Sequence, residues 1–119
     1  MSKPFTYRIS KPTIRVIDGD TIEADIEMGF NVVLANQKIR LNSINTPESR
    51  TRDLEEKARG LAAKARLQEM IDGAEVVAVT SADRGKFGRI LGTIYGDGVD
   101  LNQQLVDEGH AVPYFGGKR

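Results

Sequence analysis

The segment Thr21–Met28 sets Ile22, Ala24, Ile26 and Met28 on one side and Glu23, Asp25 and Glu27 on the other. A period of two is the mark of an antiparallel strand with one face in a core and the other in water. Such a strand needs partners of its own kind, and two flank it. Thr13–Asp18 puts Ile14 and Val16 on one face, and Val32–Ile44 alternates near its end, with Ile39 and Leu41 opposite Lys38, Arg40 and Asn42.

A helix comes next. Asp53 with Glu56 three residues on has the form of a capping box. Ala63, Leu67, Met70, Ile71 and Ala74 form one helical stripe, with a weaker one at Leu61, Ala62 and Ala65 that suggests cover on two sides. Asp72-Gly73 reads as the stop. Ala74–Thr80 and Phe87–Tyr95 read as strands around a turn at Asp83-Arg84-Gly85-Lys86, Asp97-Gly98 as a further turn, and Asp100–Glu108 as a short helix ended by Gly109. Short antiparallel strands interrupted by a helix suggest one domain over residues 1–119. Its expected form is a five-stranded barrel of the OB type with two to three helices, mainly β in class.

The side-chain inventory narrows the chemistry. There is no cysteine, and His110 is the one histidine. Disulfides, thiolate zinc sites, Ser-His-Asp triads and Cys-His pairs therefore all lack parts. Any reaction must use Asp, Glu, Arg, Lys, Tyr and an oxygen-bound cation. His110 follows a helix-ending glycine and reads as structural. The net charge of zero argues against a protein that coats nucleic acid, but not against one that grips one or two phosphates. No apolar run has the length of a signal peptide core or a membrane span. The expectation is a cytoplasmic monomer with no membrane or obligate protein partner, secreted only if a leader has been removed.

Three clusters carry the remaining chemistry. Asp18-Gly19-Asp20 joins two strands. Asp-Gly is first of all a hairpin signal, but paired carboxylates at a turn also suit a hard cation. Arg40 precedes the loop Asn45-Thr46-Pro47-Glu48, and Lys86-Phe87-Gly88-Arg89 opens a strand. Singly these read as a turn, a solvated arginine and a basic hairpin end. Together they hold what phosphodiester hydrolysis requires. Arginine forks match the phosphate oxygens, a cation offsets developing charge, and a carboxylate deprotonates or positions water.

The motifs VIDGDT at 16–21, IRLNSINTPES at 39–49, KFGRILGTIY at 86–95 and LNQQLVDEGHA at 101–111 resemble, in content, order and spacing, the staphylococcal nuclease family. The resemblance runs from about Thr13 to Tyr114. It implies an OB-fold barrel and Ca²⁺-dependent cleavage of DNA and RNA leaving 3′-phosphates, with Mg²⁺ or another divalent cation as the alternative. It assigns Asp20, position 45 and the Thr46 carbonyl to the metal, with Asp18 behind them. Arg40 and Arg89 would hold the scissile phosphate, and Glu48 would engage the attacking water. Lys86, Phe87 and Tyr114 would contact substrate. Two positions depart from the family pattern. Asn45 stands where a second metal-binding aspartate is common, and Phe87 where a tyrosine is. The loss of charge at Asn45 implies weaker cation binding. The alternative is a catalytically weakened OB module that binds nucleic acid or protein. Seven aromatics and no tryptophan leave little for the stacking platform such a module uses.

Overall fold

The computed structural model describes residues 6–84 and 89–114, with the backbone alone at 81–84. Among the described residues there are nine strands: β1 Thr6–Ile9, β2 Arg15–Asp18, β3 Thr21–Gly29, β4 Val32–Leu41, β5 Ile44–Asn45, β6 Val77–Arg84, β7 Ile90–Gly96, β8 Val99–Asp100 and β9 Val112–Pro113. Two α-helices, α1 Leu54–Gly73 and α2 Leu101–Asp107, join them, with a short 3-10 turn at Lys11–Thr13.

The strand order β1-β6-β7-β4-β3 closes on itself because β1 also pairs with β3, at Ile9↔Ile26 and Arg8↔Glu27. The result is the five-stranded barrel that the sequence suggests. Its first strand is split. β1 runs beside the far half of β3 and β2 beside the near half, with the 3-10 turn between them. Pro12 sits in that turn, where a missing N–H does no harm. This break is why the strand expected from Thr13 starts at Arg15, and why β1, too short to show a period, is absent from the sequence reading.

Ile22, Ile39, Leu41, Val77, Val79 and Ile94 fill the barrel. The α1 stripe of Ala63, Leu67, Met70, Ile71 and Ala74 closes one side of this core. Leu61, Ala62 and Ala65 are exposed, so α1 is covered on one side and not two. Asp53 caps the helix by accepting from the Glu55 and Glu56 amides. The helix ends at Gly73 with Ala74 extended, so the stop uses no left-handed glycine. β6 continues through Asp83 and Arg84, where a turn was expected, and residues 85 and 86 lie outside the described set.

Candidate active site

β4 and β7 run parallel and staggered, so that the last residues of β4 lie beside the first of β7, with Ile39 opposite Ile90 and Arg40 opposite Leu91. Parallel strands need a long crossover, and here α1 and β6 supply it. The pairing brings the residue just before β7, Arg89, to the same end as Arg40. Ile39, Leu41, Ile90 and Gly92 point inward, so the alternation turns Arg40, Arg89 and Leu91 outward. These three line one groove of about 400 Å³ with Asn42, Ser43 and Tyr114. The Tyr114 amide donates to the Ser43 carbonyl at 2.8 Å, which fixes the groove's far wall.

Both guanidinium groups are set for an anion. Arg40 is held by bonds from Nη1 to the Leu41 carbonyl (2.7 Å) and from Nη2 to Asn45 Oδ1 (3.2 Å), with Asp20 Oδ2 at 3.5 Å. These contacts leave donors of the five-donor fork unused. The Nε–H of Arg89 is buried and has no partner among the described residues. A buried, unsatisfied donor is destabilising by about 1–3 kcal/mol, and an anionic oxygen in the groove relieves it.

Asp20 sits in the two-residue turn between β2 and β3. Its carboxylate accepts from the Thr21 hydroxyl (3.0 Å) and the Thr46 amide (3.1 Å). Gly19 has no left-handed backbone; a Cβ there would lie 2.7 Å from the Ala63 Cβ and 3.1 Å from the Thr46 hydroxyl. Glycine at position 19 therefore serves the close approach of α1 to the turn, a role hidden behind the usual Asp-Gly hairpin meaning.

Asp20 Oδ2 and Asn45 Oδ1 converge on a single cationic nitrogen, Arg40 Nη2. Two hard oxygens aimed at one positive charge fit a divalent cation. With the Thr46 carbonyl, Asp20 and Asn45 are the residues that would hold it. Only Asp20 brings a full charge, and among the described residues no group of three or more His, Cys, Asp or Glu forms a ready metal cage. The set suits a cation that keeps waters and shares itself with substrate phosphate.

Glu48 is exposed. Its amide donates to the Glu56 carboxylate at 3.2 Å, so Glu56, expected to cap α1, holds the loop that carries Glu48 instead. Gly60 on α1 faces the same backbone: a Cβ there would stand 2.4 Å from the Glu48 carbonyl oxygen. Asp18 accepts a short bond from the Ser49 hydroxyl, which ties the β2–β3 turn to the loop after Glu48. Asn102 on α2 accepts from the Ile94 amide (3.1 Å) and donates to the Asn42 and Gly92 carbonyls, bracing the groove from beneath. Ser49, Glu56, Gly60 and Asn102 lie outside the set read from sequence. Only Asn102 carried a hint there, as a polar residue on the apolar stripe of a short helix. Lys86 and Phe87 lie outside the described residues.

The family model described as "Staphylococcal nuclease homologue" matches residues 38–119. The chain is 31% identical over 102 residues to a succinoglycan biosynthesis protein, ExoI, of Rhizobium meliloti (strain 1021), covering 82% of this chain and 48% of that one. It is 34% identical over 105 residues to an uncharacterized endonuclease of Escherichia coli, covering 85% and 58% respectively. It is also 34% identical over 86 residues to a probable staphylococcal-like nuclease, CAN1, of Oryza sativa subsp. japonica, covering 72% and 24%. The chain spans about half the length of the first two of these relatives.

Proposed function

The chain belongs to the staphylococcal nuclease family, and from that premise we propose that it is a divalent-cation-dependent nuclease that hydrolyses phosphodiester bonds of DNA or RNA and leaves 3′-phosphates. The observation that carries this reading is the shared groove of Arg40 and Arg89, with the Arg89 Nε–H buried and unpartnered. Relatives named as an endonuclease and a staphylococcal-like nuclease support it.

In this reading the two arginines grip the non-bridging oxygens of the scissile phosphate. They are worth more as the reaction proceeds, because negative charge gathers on those oxygens in the transition state. Arg40 is already oriented by Leu41 and Asn45, so little reorganisation remains. Glu48 accepts a proton from the attacking water as its oxygen bonds to phosphorus. The bond from phosphorus to the 5′-oxygen breaks, and solvent protonates that oxygen. Asp20, Asn45 and the Thr46 carbonyl would hold a divalent cation, which would supply Lewis-acid charge at the phosphate; calcium is the expected ion, with magnesium the alternative. Asp18 and Ser49 keep the Asp20 turn and the Glu48 loop in register.

One observation favours a second reading, a binding module with weakened catalysis: Asp20 is the single carboxylate of the cation set and is already paired with Arg40. The deciding assay incubates single-stranded and duplex DNA with the protein in Ca²⁺, in Mg²⁺ and in chelator. The control is Glu48→Gln, which keeps shape and removes the base. Cation-dependent cleavage that falls by about 10²–10⁴ in kcat in the variant supports the nuclease. No cleavage at about millimolar calcium, the weak end for such sites, makes the binding module the better reading.

A further inference from the structure

A second groove, of about 580 Å³, opens between α1 and the outer faces of β2 and β4. Its walls carry Arg15, Lys38, Arg50 and Lys64, with Ser49 and Leu61, and among the described residues no carboxylate lines it. The chain as a whole has no net charge, so four cations drawn from four separate segments are a concentration of charge that composition does not explain. Glu23 neutralises one of them, lying 3.0 Å from Arg15. Lys38, Arg50 and Lys64 make no ion pair among the described residues.

The groove neighbours the candidate active site along the chain. Lys38 and Arg40 are two residues apart on β4 and so share a face. Ser49 and Arg50 follow Glu48 directly, and the Ser49 bond to Asp18 forms the floor between the two regions. A strand leaving Arg40 along this face of β4 would meet Lys38 and, across the groove, Arg50 and Lys64. Among the described residues the walls hold no aromatic side chain, and their apolar members are Val16, Ile17 and Leu61, the last 46% exposed. Such a lining contacts phosphates and sugars and offers no aromatic platform on which bases stack.

We propose that the Arg15–Lys38–Arg50–Lys64 groove is a second subsite, which binds the phosphate backbone of a single nucleic-acid strand running out of the active site. The inference rests on the nuclease reading for its substrate class, but its test does not require cleavage. The probe is a fluorescent single-stranded DNA of about 12 nucleotides, inside the range of about 4–16 that one OB fold covers. Its anisotropy is titrated in chelator across a range of salt. The variant combines Lys38→Ala, Arg50→Ala and Lys64→Ala, and its urea midpoint reports that it folds.

Each lost phosphate contact flattens the log–log salt dependence by about 0.7 for single strands. The triple variant is expected to lose about 2 from the slope and to bind about 10–100-fold more weakly at low salt. Removing one exposed cation elsewhere, in Arg8→Ala, leaves the slope unchanged. In the cleavage assay the triple variant raises KM for the long strand and keeps kcat on a dinucleotide. An unchanged slope and affinity in the triple variant overturns the subsite, even if the wild type cuts DNA. Salt-dependent binding lost in the triple variant sustains it, even if the wild type cuts nothing. A wild type that fails to bind the probe at low salt also overturns it.

Discussion

At the scale of single residues, two positions decide how the site is held. Gly60 is the first. Glycine in a helix interior is about 1 kcal/mol less favourable than alanine, so Gly60→Ala looks stabilising by propensity. The Glu48 carbonyl, 2.4 Å from the added Cβ, reverses that sign, because the clashing atom is backbone and cannot rotate away. Overpacking of this kind is destabilising by about 1–3 kcal/mol. The expected outcome of Gly60→Ala is a lower urea midpoint together with a reduced kcat, since the displaced backbone belongs to the proposed base. Asn45 is the second. Asn45→Asp adds a full charge beside Asp20, and a titration of divalent cation by calorimetry should show tighter binding, by about tenfold or more. The new carboxylate would also bind Arg40 more strongly, so an affinity that does not rise would mean that Arg40 outcompetes the cation. Arg40→Ala is a poorer probe than either. It leaves Asp20, whose side chain is 12% exposed, without its counter-charge, and breaking a buried pair is destabilising by about 3–5 kcal/mol.

At the scale of elements, the periods in the sequence found what lies inside the barrel and missed where the barrel ends. Ile22, Ala24 and Ile26 are buried as their alternation requires, yet Met28 on the same face is 39% exposed. The reason is reach. β1 covers β3 only as far as Glu27, and the β3–β4 hairpin continues beyond the barrel with Val32 and Val33 exposed. Its tip, Phe30-Asn31, joins Gly29 to Val32 with both central φ angles positive, 55° and 62°. That is a type I′ turn, which favours Asn and Gly, and the phenyl ring of Phe30 is fully exposed. A left-handed backbone is unfavourable by about 1–2 kcal/mol for an ordinary side chain and less so for Asn. Phe30→Asn should raise stability in urea by about 0.5–1 kcal/mol and lower the tendency to aggregate. The site was legible to the same extent and for the same reason. Arg40, Asp20, Asn45 and Glu48 stand in local motifs, whereas the partners of Glu48 are Glu56 and Gly60 on a helix whose docking no local pattern encodes. The parallel β4–β7 pairing that brings Arg89 to Arg40 is likewise invisible without the fold.

At the scale of the whole molecule, the two helices and the barrel are fastened by exposed charge as well as by core. Arg66 on α1 grips Glu108, which ends α2, through two bonds, Nε to Oε1 at 2.7 Å and Nη2 to Oε2 at 2.9 Å. This fork, helped by Gln104, holds the Glu108 carboxyl down to about 2 from its ordinary 4.5. Asp97 in the β7–β8 turn is also lowered, because its carboxylate accepts the Val76 and Glu75 amides where α1 hands over to β6. Both groups are more acidic folded than unfolded, so the unfolded chain binds protons first as pH falls. Their contribution is complete above the ordinary carboxylate range and is lost on acidification, for Glu108 between about 4.5 and about 2. Glu108→Gln should therefore leave a shallower fall of the urea midpoint across that window than the wild type shows, while the two curves run parallel at neutral pH. Because α2 carries Asn102, which braces the groove through Asn42 and Gly92, loosening of α2 in acid should reach the site before the barrel melts. Binding of a single-stranded oligonucleotide by the wild type, followed from pH 7 downward, should weaken before the far-ultraviolet circular dichroism of the strands changes. Coincident loss of both signals would show that α2 and the barrel unfold as one unit.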